Sequence, residues 1–541
     1  MRLSWVPAST ASSRRWNSPG PAGRSSWSNA TRRSEGFIAT EERTRPGYLH
    51  DTYSSWQPLF VSGAAYASLG EQLHRHGLEY RNAEEWATAS VAADGRTTLF
   101  HRDPERTAAA FEHSADRSTY LAALAFLGEN FGSIGGLMGS ELRSPALVRY
   151  AAGLVRTGGR HGAERLLRSM ATSGRGYTRR EYRGDEVDHL LVPWLLHAGL
   201  SPDHASGGLM IPLLAATLHS FGVPVVVGGA GQFVAAFRAL LDSVGVQVET
   251  GTRVERILVE DGRATGVLAD GKVIRARRAV VASVTPTALY DDLLPHGTVA
   301  TAIVEEARRF RYGRAAMQIH VALSGPIGWR DVRLRMIPLV HLSDGSGSTG
   351  IACAEAEAGL LPRRPTVVVG QQYVLDPSRV PPGAAALWLQ LQEVPYAPRG
   401  DAAGELDTTS GWTSALAQGY AERVLNQIAE HAPDLHDRTL AVDVITPTDL
   451  AAYNPNAVDG DPYGGSAELD QSYLWRPLPS SGRHVTPVSG LWQIGASTHP
   501  GAGLNGGSGH IVAKALTEPG RFARLSQQLS ERMPRRTSIP S

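Results

Sequence analysis

Cysteine is nearly absent from this 541-residue chain, which holds one, Cys353. No intrachain disulfide can form, and a disulfide scaffold and a cysteine-ligated zinc or iron–sulfur site are both excluded. Lysine is almost as scarce. Of 53 basic residues only Lys272 and Lys514 are lysines and 51 are arginines, a bias that reads as GC-rich coding because Arg, Ala, Gly and Pro all have GC-rich codons. An excess of either charge sign is also lacking: Lys+Arg 53 against Asp+Glu 52 leaves a net charge of +1. No global positive field therefore exists to hold a polyanion, and nucleic acid is not expected as a partner. No long hydrophobic run reads as a membrane span either. The longest weakly charged stretch, 207–231, contains Pro212, Pro224, His219 and several glycines, which suits a buried helix followed by a strand.

Residues 1–33 lack the apolar core of a secretory signal, although their Arg-rich, Ser-rich, acid-free composition imitates a transit peptide. A reducing cytoplasm is the expected location, with peripheral membrane contact left open. At roughly 150 residues per domain the length predicts two to four domains. A hydrophobic share of 42% with 58 glycines and 33 prolines describes a globular chain with many turns.

Composition changes abruptly at Glu35. Residues 36–59 read as loop and turn, and 60–220 as mostly helical. Within the latter, the basic stretch Arg156 to Arg183 reads as a solvated helix and loop, since Glu164, Glu181, Asp185 and Glu186 are close by; a membrane-facing or anion-binding surface is the alternative. Val225–Val227 followed by Gly228-Gly-Ala-Gly231 predicts a strand entering a helix, whose apolar positions are Phe233, Phe237, Leu240, Leu241 and Val244 and whose end is Gly245. Val246–Val248 then completes a β–α–β unit. Strands follow at 253–259, 264–268 and 273–283, joined by the tight-turn dipeptides Asp261-Gly262 and Asp270-Gly271. Beyond residue 300, runs such as Met317–Leu323 predict a second sheet, and 413–431 an amphipathic helix. Gly490–Ile494 reads as a strand opening into the glycine-dense stretch Gly495–Gly509, and then a helix from Ile511. Backbone N–H groups converging at such a helix start can hold an anion or an electron-rich ring. G-x-S-x-G, G-x-x-x-x-G-K-[ST] and H-E-x-x-H signatures are absent, which gives little weight to serine hydrolases, P-loop proteins and zinc proteases.

Three passages, VVVGGAGQF from Val225, GTRVERILVEDGRATGVLADGKVIRARRAVVASVTP from Gly251, and Asp470–Gly509 with DQSYLWRP, TPVSGLWQIGAS and THPGAGLNGGSG, together resemble the phytoene dehydrogenase-like branch of FAD-dependent oxidoreductases. The resemblance implies an α/β fold of the glutathione-reductase type: a Rossmann-like FAD-binding domain, its first β–α unit missing here, with a second α+β substrate domain and a helical region. The FAD domain would draw on 35–60, 221–300 and 485–525, the helical cap and part of the substrate domain on 61–220, and the substrate sheet on 301–484. Residues 1–34 would be an aberrant, unstructured segment and 526–541 a tail. By position, the resemblance places Val254 at the adenine of FAD, Gly495 and Ala496 at the pyrophosphate and ribityl chain, and Gly503, Leu504 and Asn505 along the isoalloxazine ring. Gly36 and Phe37 match the end of a loop near the flavin. His499 either borders the ring or makes a backbone hydrogen bond, and Met317 and Tyr53 either line a substrate tunnel or belong to the core.

Proteins of this kind open with a strand, G-x-G-x-x-G, a helix and a second strand ending in an acid. Residues 1–34 hold none of this. Pairing the third base of each codon with the first two of the next turns Trp5-Val6 into glycine and Trp16-Asn17 into glutamate whatever codons are used. With G or C favoured at third positions, Arg2 to Asn29 rereads as V-V-V-G-S-G-I-N-G-L-V-A-A-V-E-L-A-R-A-G-x-S-V-V-L-V-E, which has every missing feature in order. The expectation is a frame-shifted FAD fingerprint upstream of Glu35; an unrelated extension is the alternative.

By resemblance the reaction is hydride abstraction by FAD from a C–H bond of a small apolar substrate to form a double bond, with oxygen or a quinone-like compound as electron acceptor. A flavin amine oxidase on the same fold is one alternative, and an inactive remnant that has lost FAD is another. No catalytic acid or base stands out, no metal site is expected, and the oligomeric state is left open.

Overall fold

The computed structural model describes residues 26–28, 36–503 and 505–517. The expected tail at 526–541, most of the aberrant segment 1–34, and Leu504 lie outside the described residues.

The largest element is a seven-stranded sheet in the order Thr439–Ile445, Ala315–Leu323, Ala385–Val394, Val367–Gly370, Leu339–Leu342, Trp86–Val91, Thr97–His101. All neighbours are antiparallel except Leu339–Leu342 with Trp86–Val91. Its central strands are buried at nearly every position because both faces are covered. Side chains alternate between faces with period two, so Leu387, Leu389 and Leu391 join one core while Trp388, between them, joins another. The first core is closed by the helix Ser414–Ala429 through Leu416, Tyr420, Val424 and Ile428. Thr413 caps that helix, its hydroxyl accepting from the Leu416 N–H at 3.2 Å. The second core is closed by Val187–Leu200 and the helix Gly207–Phe221. The hairpin Trp86–His101 falls inside a region read as helical, and it extends the sheet by two strands.

A smaller α/β part lies beside this sheet. Strands Val254–Glu260, Arg263–Ala269 and Lys272–Arg275 form an antiparallel meander. Its turns are as expected: Asp261 and Gly262 have φ of 48° and 72°, and Asp270 and Gly271 have 44° and 72°, the left-handed pair of a tight hairpin. The stretch 273–283, expected as one strand, divides into Lys272–Arg275 and Val280–Ala282, and the second pairs in parallel with Leu491–Gln493.

The predicted β–α–β unit around Gly228–Gly231 is corrected. The helix Gly231–Ser243 forms and buries Phe233, Phe237, Leu240 and Leu241, while Val244 caps it and stays exposed. Val225–Val226, however, pairs antiparallel with Tyr80–Arg81. Gln247–Glu249 pairs elsewhere, in parallel with Ser26–Ser28. A two-residue run carries too little pattern to specify its partner.

The strand Ser26–Ser28 also corrects the expectation that all of 1–34 is unstructured. Its place is informative. In the alternative frame the codons of 23–29 read S-V-V-L-V-E, the second strand of the fingerprint. A dinucleotide-binding sheet has the order 3-2-1-4-5-6. Gln247–Glu249 and Ser26–Ser28 supply a parallel 3-2 pair, Val280–Ala282 and Leu491–Gln493 supply a parallel 4-5 pair, and among the described residues no strand 1 joins them.

Also among the described residues, no single helix is long and apolar enough to cross a membrane; one bent pair, Ser114–Glu129 with Phe131–Met138, passes on length and composition together.

Candidate functional site

In open parallel sheets, ligands bind beyond the carboxyl ends of the strands. Here those ends are Ser283, after Val280–Ala282, and Gly495, after Leu491–Gln493. Gly495 has φ 103°, and a Cβ on it would come within 2.9 Å of the Ser283 hydroxyl, so only glycine fits. Beyond it the chain turns through Gly501, Gly503 and Gly506, all with positive φ, into the helix Gly507–Thr517. Ser508 and Thr498 tie the turn to the helix start: the Ser508 hydroxyl accepts from the Gly495 N–H at 3.1 Å and lies 2.7 Å from Thr498 Oγ1. Asn505 Oδ1 accepts from the Gly507 N–H at 2.7 Å.

Most of the expected site residues gather around this turn. Gly503 lies against Leu59, whose Cδ1 would be 2.5 Å from a Cβ there, and the Asn505 carbonyl packs on Gly63. The Ala496 carbonyl accepts two bonds from the Arg476 guanidinium, at 3.1 and 2.8 Å. Phe37 meets Tyr53 edge-on at 5.0 Å and stacks on Tyr453 at 6.3 Å. Gly36 is beside Asn454. Two residues on, Asn456 Nδ2 donates to the Ser283 carbonyl at 3.0 Å, which links the aromatic cluster to the strand end. Val254 stands apart from the turn, fully buried at the start of its strand and sharing a core with Ala282, Val284 and Leu491. Leu504 lies outside the described residues. Met317 and Tyr53 are core side chains.

Three residues for which the sequence suggested no role support the turn. Arg476 is buried and points its guanidinium at four backbone carbonyls, those of Tyr463, Gly464, Ser466 and Ala496. Burial lowers its pKa to about 10, with the charge of Asp461 opposing the shift. Asp461 in turn accepts from the backbone N–H groups of Gly313, Tyr463 and Gly465, and burial still holds its carboxyl above the ordinary range.

Glu141 and His484 are the other two. Glu141 Oε2 is 2.9 Å from His484 Nδ1, and His484 Nε2 is 2.8 Å from the His499 carbonyl. A carbonyl only accepts, so His484 Nε2 donates to it, and Nδ1 hydrogen-bonds with the Glu141 carboxyl. Burial acts to raise the Glu141 carboxyl, but the hydrogen bond and charge of His484 prevail and hold it below its ordinary range. The result is a buried acid–imidazole pair bonded to the His499 carbonyl of the turn.

His499 makes the expected backbone bond, its Nε2 donating to the Leu137 carbonyl at 3.0 Å. Burial lowers its pKa to about 4, so the ring is neutral and Nδ1 carries a lone pair; that atom is buried and has no partner among the described residues.

Removing one partner leaves a buried hydrogen-bonding group unsatisfied, which costs about 1–3 kcal/mol. Glu141→Gln is therefore expected to lower the free energy of unfolding by that order in a denaturant titration. A change well below about 1 kcal/mol, the worth of a surface pair, would contradict a buried hydrogen-bonded pair.

The described residues fit the flavin end of a dinucleotide. A Cβ at Gly501 would meet nothing within 4 Å, leaving space on the turn, the helix start offers N–H groups, and His499 Nδ1 is an acceptor without a donor. Gly495, Ala496, Gly503 and Asn505 would hold the cofactor there, while Gly36 and Phe37 lie against Asn454 and the aromatic pair Tyr53 and Tyr453.

Residues 47–516 match the family model for flavin containing amine oxidoreductase. Pyridine nucleotide-disulfide oxidoreductase domain-containing protein 2 of Mus musculus is 28% identical over 311 residues, 54% of this chain and 51% of that protein. A neurosporene-forming phytoene desaturase of Cereibacter sphaeroides is 27% identical over 332 residues, 60% of this chain and 59% of the desaturase. The chain thus spans little more than half the length of these two relatives. One component of the limonene dehydrogenase of Castellaniella defragrans is 22% identical over 523 residues, covering 89% of this chain and 88% of that component. In fold, an oxidoreductase from Methanosarcina mazei superposes with a TM-score of 0.56 at 14% identity, covering 92% of this chain and 94% of its own.

Proposed function

This chain belongs to the flavin containing amine oxidoreductase family, whose members are FAD-dependent oxidoreductases, and from that premise we propose that it dehydrogenates a small apolar substrate. Bound FAD supplies a two-electron acceptor for a C–H bond. The substrate gives up two hydrogens and gains a double bond, and oxygen or a quinone-like compound then takes the electrons.

One observation favours an apolar substrate over an amine. The turn Gly495–Gly509 contains no carboxylate to hold an ammonium group, and Glu141, the acid tied into its support, is already bonded to His484. Beside Gly36 packs an aromatic cluster of Phe37, Tyr53 and Tyr453. The names of relatives agree, since limonene and phytoene are hydrocarbons. The amine alternative is supported by the family's own description.

The protein's residues have positioning work in this reaction. Arg476 fixes the Ala496 carbonyl and the Glu141–His484 pair fixes the His499 carbonyl, so the two together hold the incoming arm of the turn.

The test is product analysis after incubating FAD-loaded protein, in detergent, with unsaturated hydrocarbons and with primary amines. The reading expects a hydrocarbon product lighter by two hydrogens and no aldehyde from amines. Aldehyde and ammonia from an amine, with hydrocarbons returned unchanged, would overturn it in favour of an amine oxidase.

A further inference from the structure

Gln390 interrupts the burial of the large sheet at its centre. It lies in Ala385–Val394, an inner strand whose other residues are all buried, yet Gln390 itself is only half-buried. Side chains alternate along the strand, so Gln390 shares a face with Trp388 and Gln392 and points away from the helix Ser414–Ala429. Accessible surface among buried neighbours on that face is the floor of a recess.

Two more amides border it. Gln318, on Ala315–Leu323, is the register partner of Gln390, and Gln392 lies two residues further along the strand. Each is only 3% exposed. Diagonal neighbours across a strand pair are about 7–8 Å apart, within reach of long side chains.

Their hydrogen bonds leave one group of each amide over. The Tyr463 hydroxyl donates its single hydrogen to the Leu196 carbonyl at 2.7 Å, so its oxygen accepts from Gln392 Nε2 at 2.8 Å. Gln392 Oε1 is then a buried acceptor without a donor among the described residues, and Gln318 Nε2 is a buried donor without an acceptor among them. Native proteins seldom leave buried polar groups so, because each forfeits its bonds to water.

The charged and basic side chains that adjoin the face are engaged. His320, next on the same face, donates from Nε2 to the Asp51 carbonyl at 3.1 Å. Glu393 accepts from the N–H groups of Thr366 and Gln392. Asp461 and Arg476, behind Tyr463, are bonded to backbone groups. A ligand on this face is accordingly neutral.

The face adjoins the candidate site on two sides. Ala316, two residues before Gln318, packs with Tyr53 in the cluster that includes Phe37. Tyr463 is followed by Gly464, on which a Cβ would come within 2.9 Å of the Ala496 Cβ and whose carbonyl accepts from the Ser497 hydroxyl at 2.6 Å.

We propose that Gln318 and Gln392 are specificity residues that recognise a hydroxyl group on an otherwise apolar substrate: Gln318 Nε2 donates to the hydroxyl oxygen, and the hydroxyl donates to Gln392 Oε1. One alcohol satisfies both groups at once. A carbonyl or a carboxylate offers no donor to Gln392, and an ammonium offers no acceptor to Gln318. That the alcohol is the substrate rests on the apolar-substrate reading; the amide pair itself rests on burial and hydrogen bonding.

The experiment is a binding titration of the full-length, FAD-loaded protein with three ligands on one skeleton: geraniol, the hydrocarbon that lacks its hydroxyl, and geranylamine. Geraniol is expected to bind on the order of tenfold or more tighter than either of the others. Gln318→Leu should erase that preference, with a melting temperature no lower than the parent's, because it removes a buried donor that nothing else among the described residues satisfies. Equal binding of geraniol and the hydrocarbon by the parent protein, a preference that survives in both Gln318→Leu and Gln392→Leu, or tightest binding of geranylamine would each overturn the proposal, and the first and last of these need no variant. Anaerobic bleaching of the flavin separates the two readings. The substrate reading fails alone if geraniol is preferred in binding and only amines bleach the flavin; the amide proposal fails alone if geraniol and the hydrocarbon both bleach it and bind equally.

Discussion

Restoring the alternative reading frame upstream of Glu35 is expected to tighten FAD binding on the order of a hundredfold or more. The described residues supply the flavin end of the site through Gly495, Gly503 and Asn505 and the helix start at Gly507. A G-x-G-x-x-G helix start for the pyrophosphate and an acid for the ribose are found only in the alternative frame of Arg2–Asn29. Each would add charge-assisted hydrogen bonds worth about 1.5–3 kcal/mol, and two such groups account for a hundredfold. The strand order supports the same frame. Ser26–Ser28 lies beside Gln247–Glu249 as strand 2 beside strand 3, and the place between it and Val280–Ala282 is that of the strand rereading as V-V-V. Titrating FAD into the two purified proteins measures the effect. Equal affinities would show that the literal N-terminus already serves the nucleotide and would remove the reason for the frame shift; a stop codon in the alternative frame of the gene would do the same.

Acid is expected to unfold the protein well above the carboxylate range. Burial lowers the pKa of His50 to about 3, His189 to about 4, His197 to about 3, His219 to about 4 and His499 to about 4, and lowers His341 well below its ordinary value of 6.5. His197 and His341 face each other, Nε2 to Nε2, at 3.0 Å and cannot both take protons.

The sign follows from proton uptake. As pH falls below 6.5 the unfolded chain protonates these rings and the folded chain does not, so the stability present above 6.5 is lost progressively down to about 4. Each ring contributes about 1.4 kcal/mol per pH unit while only the unfolded state titrates. Several acting together are enough to exhaust an ordinary stability of about 5–15 kcal/mol. Glu393 and Asp461 work in the opposite sense, since burial raises the Glu393 carboxyl to about 7 and the Asp461 carboxyl above its ordinary range and so favours the folded state as pH falls, but they are two groups against several. Melting temperatures across roughly pH 7 to 5 should fall steeply. A flat profile there would mean that the histidines are not held neutral.

Legibility in the sequence followed the range of the interactions. The meander was readable because Asp261-Gly262 and Asp270-Gly271 are local signals that demand left-handed backbone, and both adopt it. The helix Ser414–Ala429 was readable because one face repeats with helical period over its whole length. Val225–Val226 was misread because a short apolar run looks the same whether its partner is near or far in the chain. The outer hairpin Trp86–His101 was hidden among helices for a similar reason.

In the site, glycines that must hold a positive φ stood out in Gly495–Gly509. The residues that brace the turn did not. Glu141 and His484 are 343 positions apart and carry no shared pattern, so only the fold could pair them. Arg476 sat within the passage DQSYLWRP, but its role depends on carbonyls converging from Tyr463 to Ala496.

An FAD-dependent dehydrogenation of an apolar molecule at the Gly495–Asn505 turn is the central claim. Anaerobic mixing of the FAD-loaded protein with an unsaturated hydrocarbon, followed by the visible flavin band, tests it most directly. The expected result is bleaching by the hydrocarbon, recovery of the band on admitting oxygen or a quinone, and no bleaching by primary amines. Bleaching by an amine with the hydrocarbon inert would contradict it.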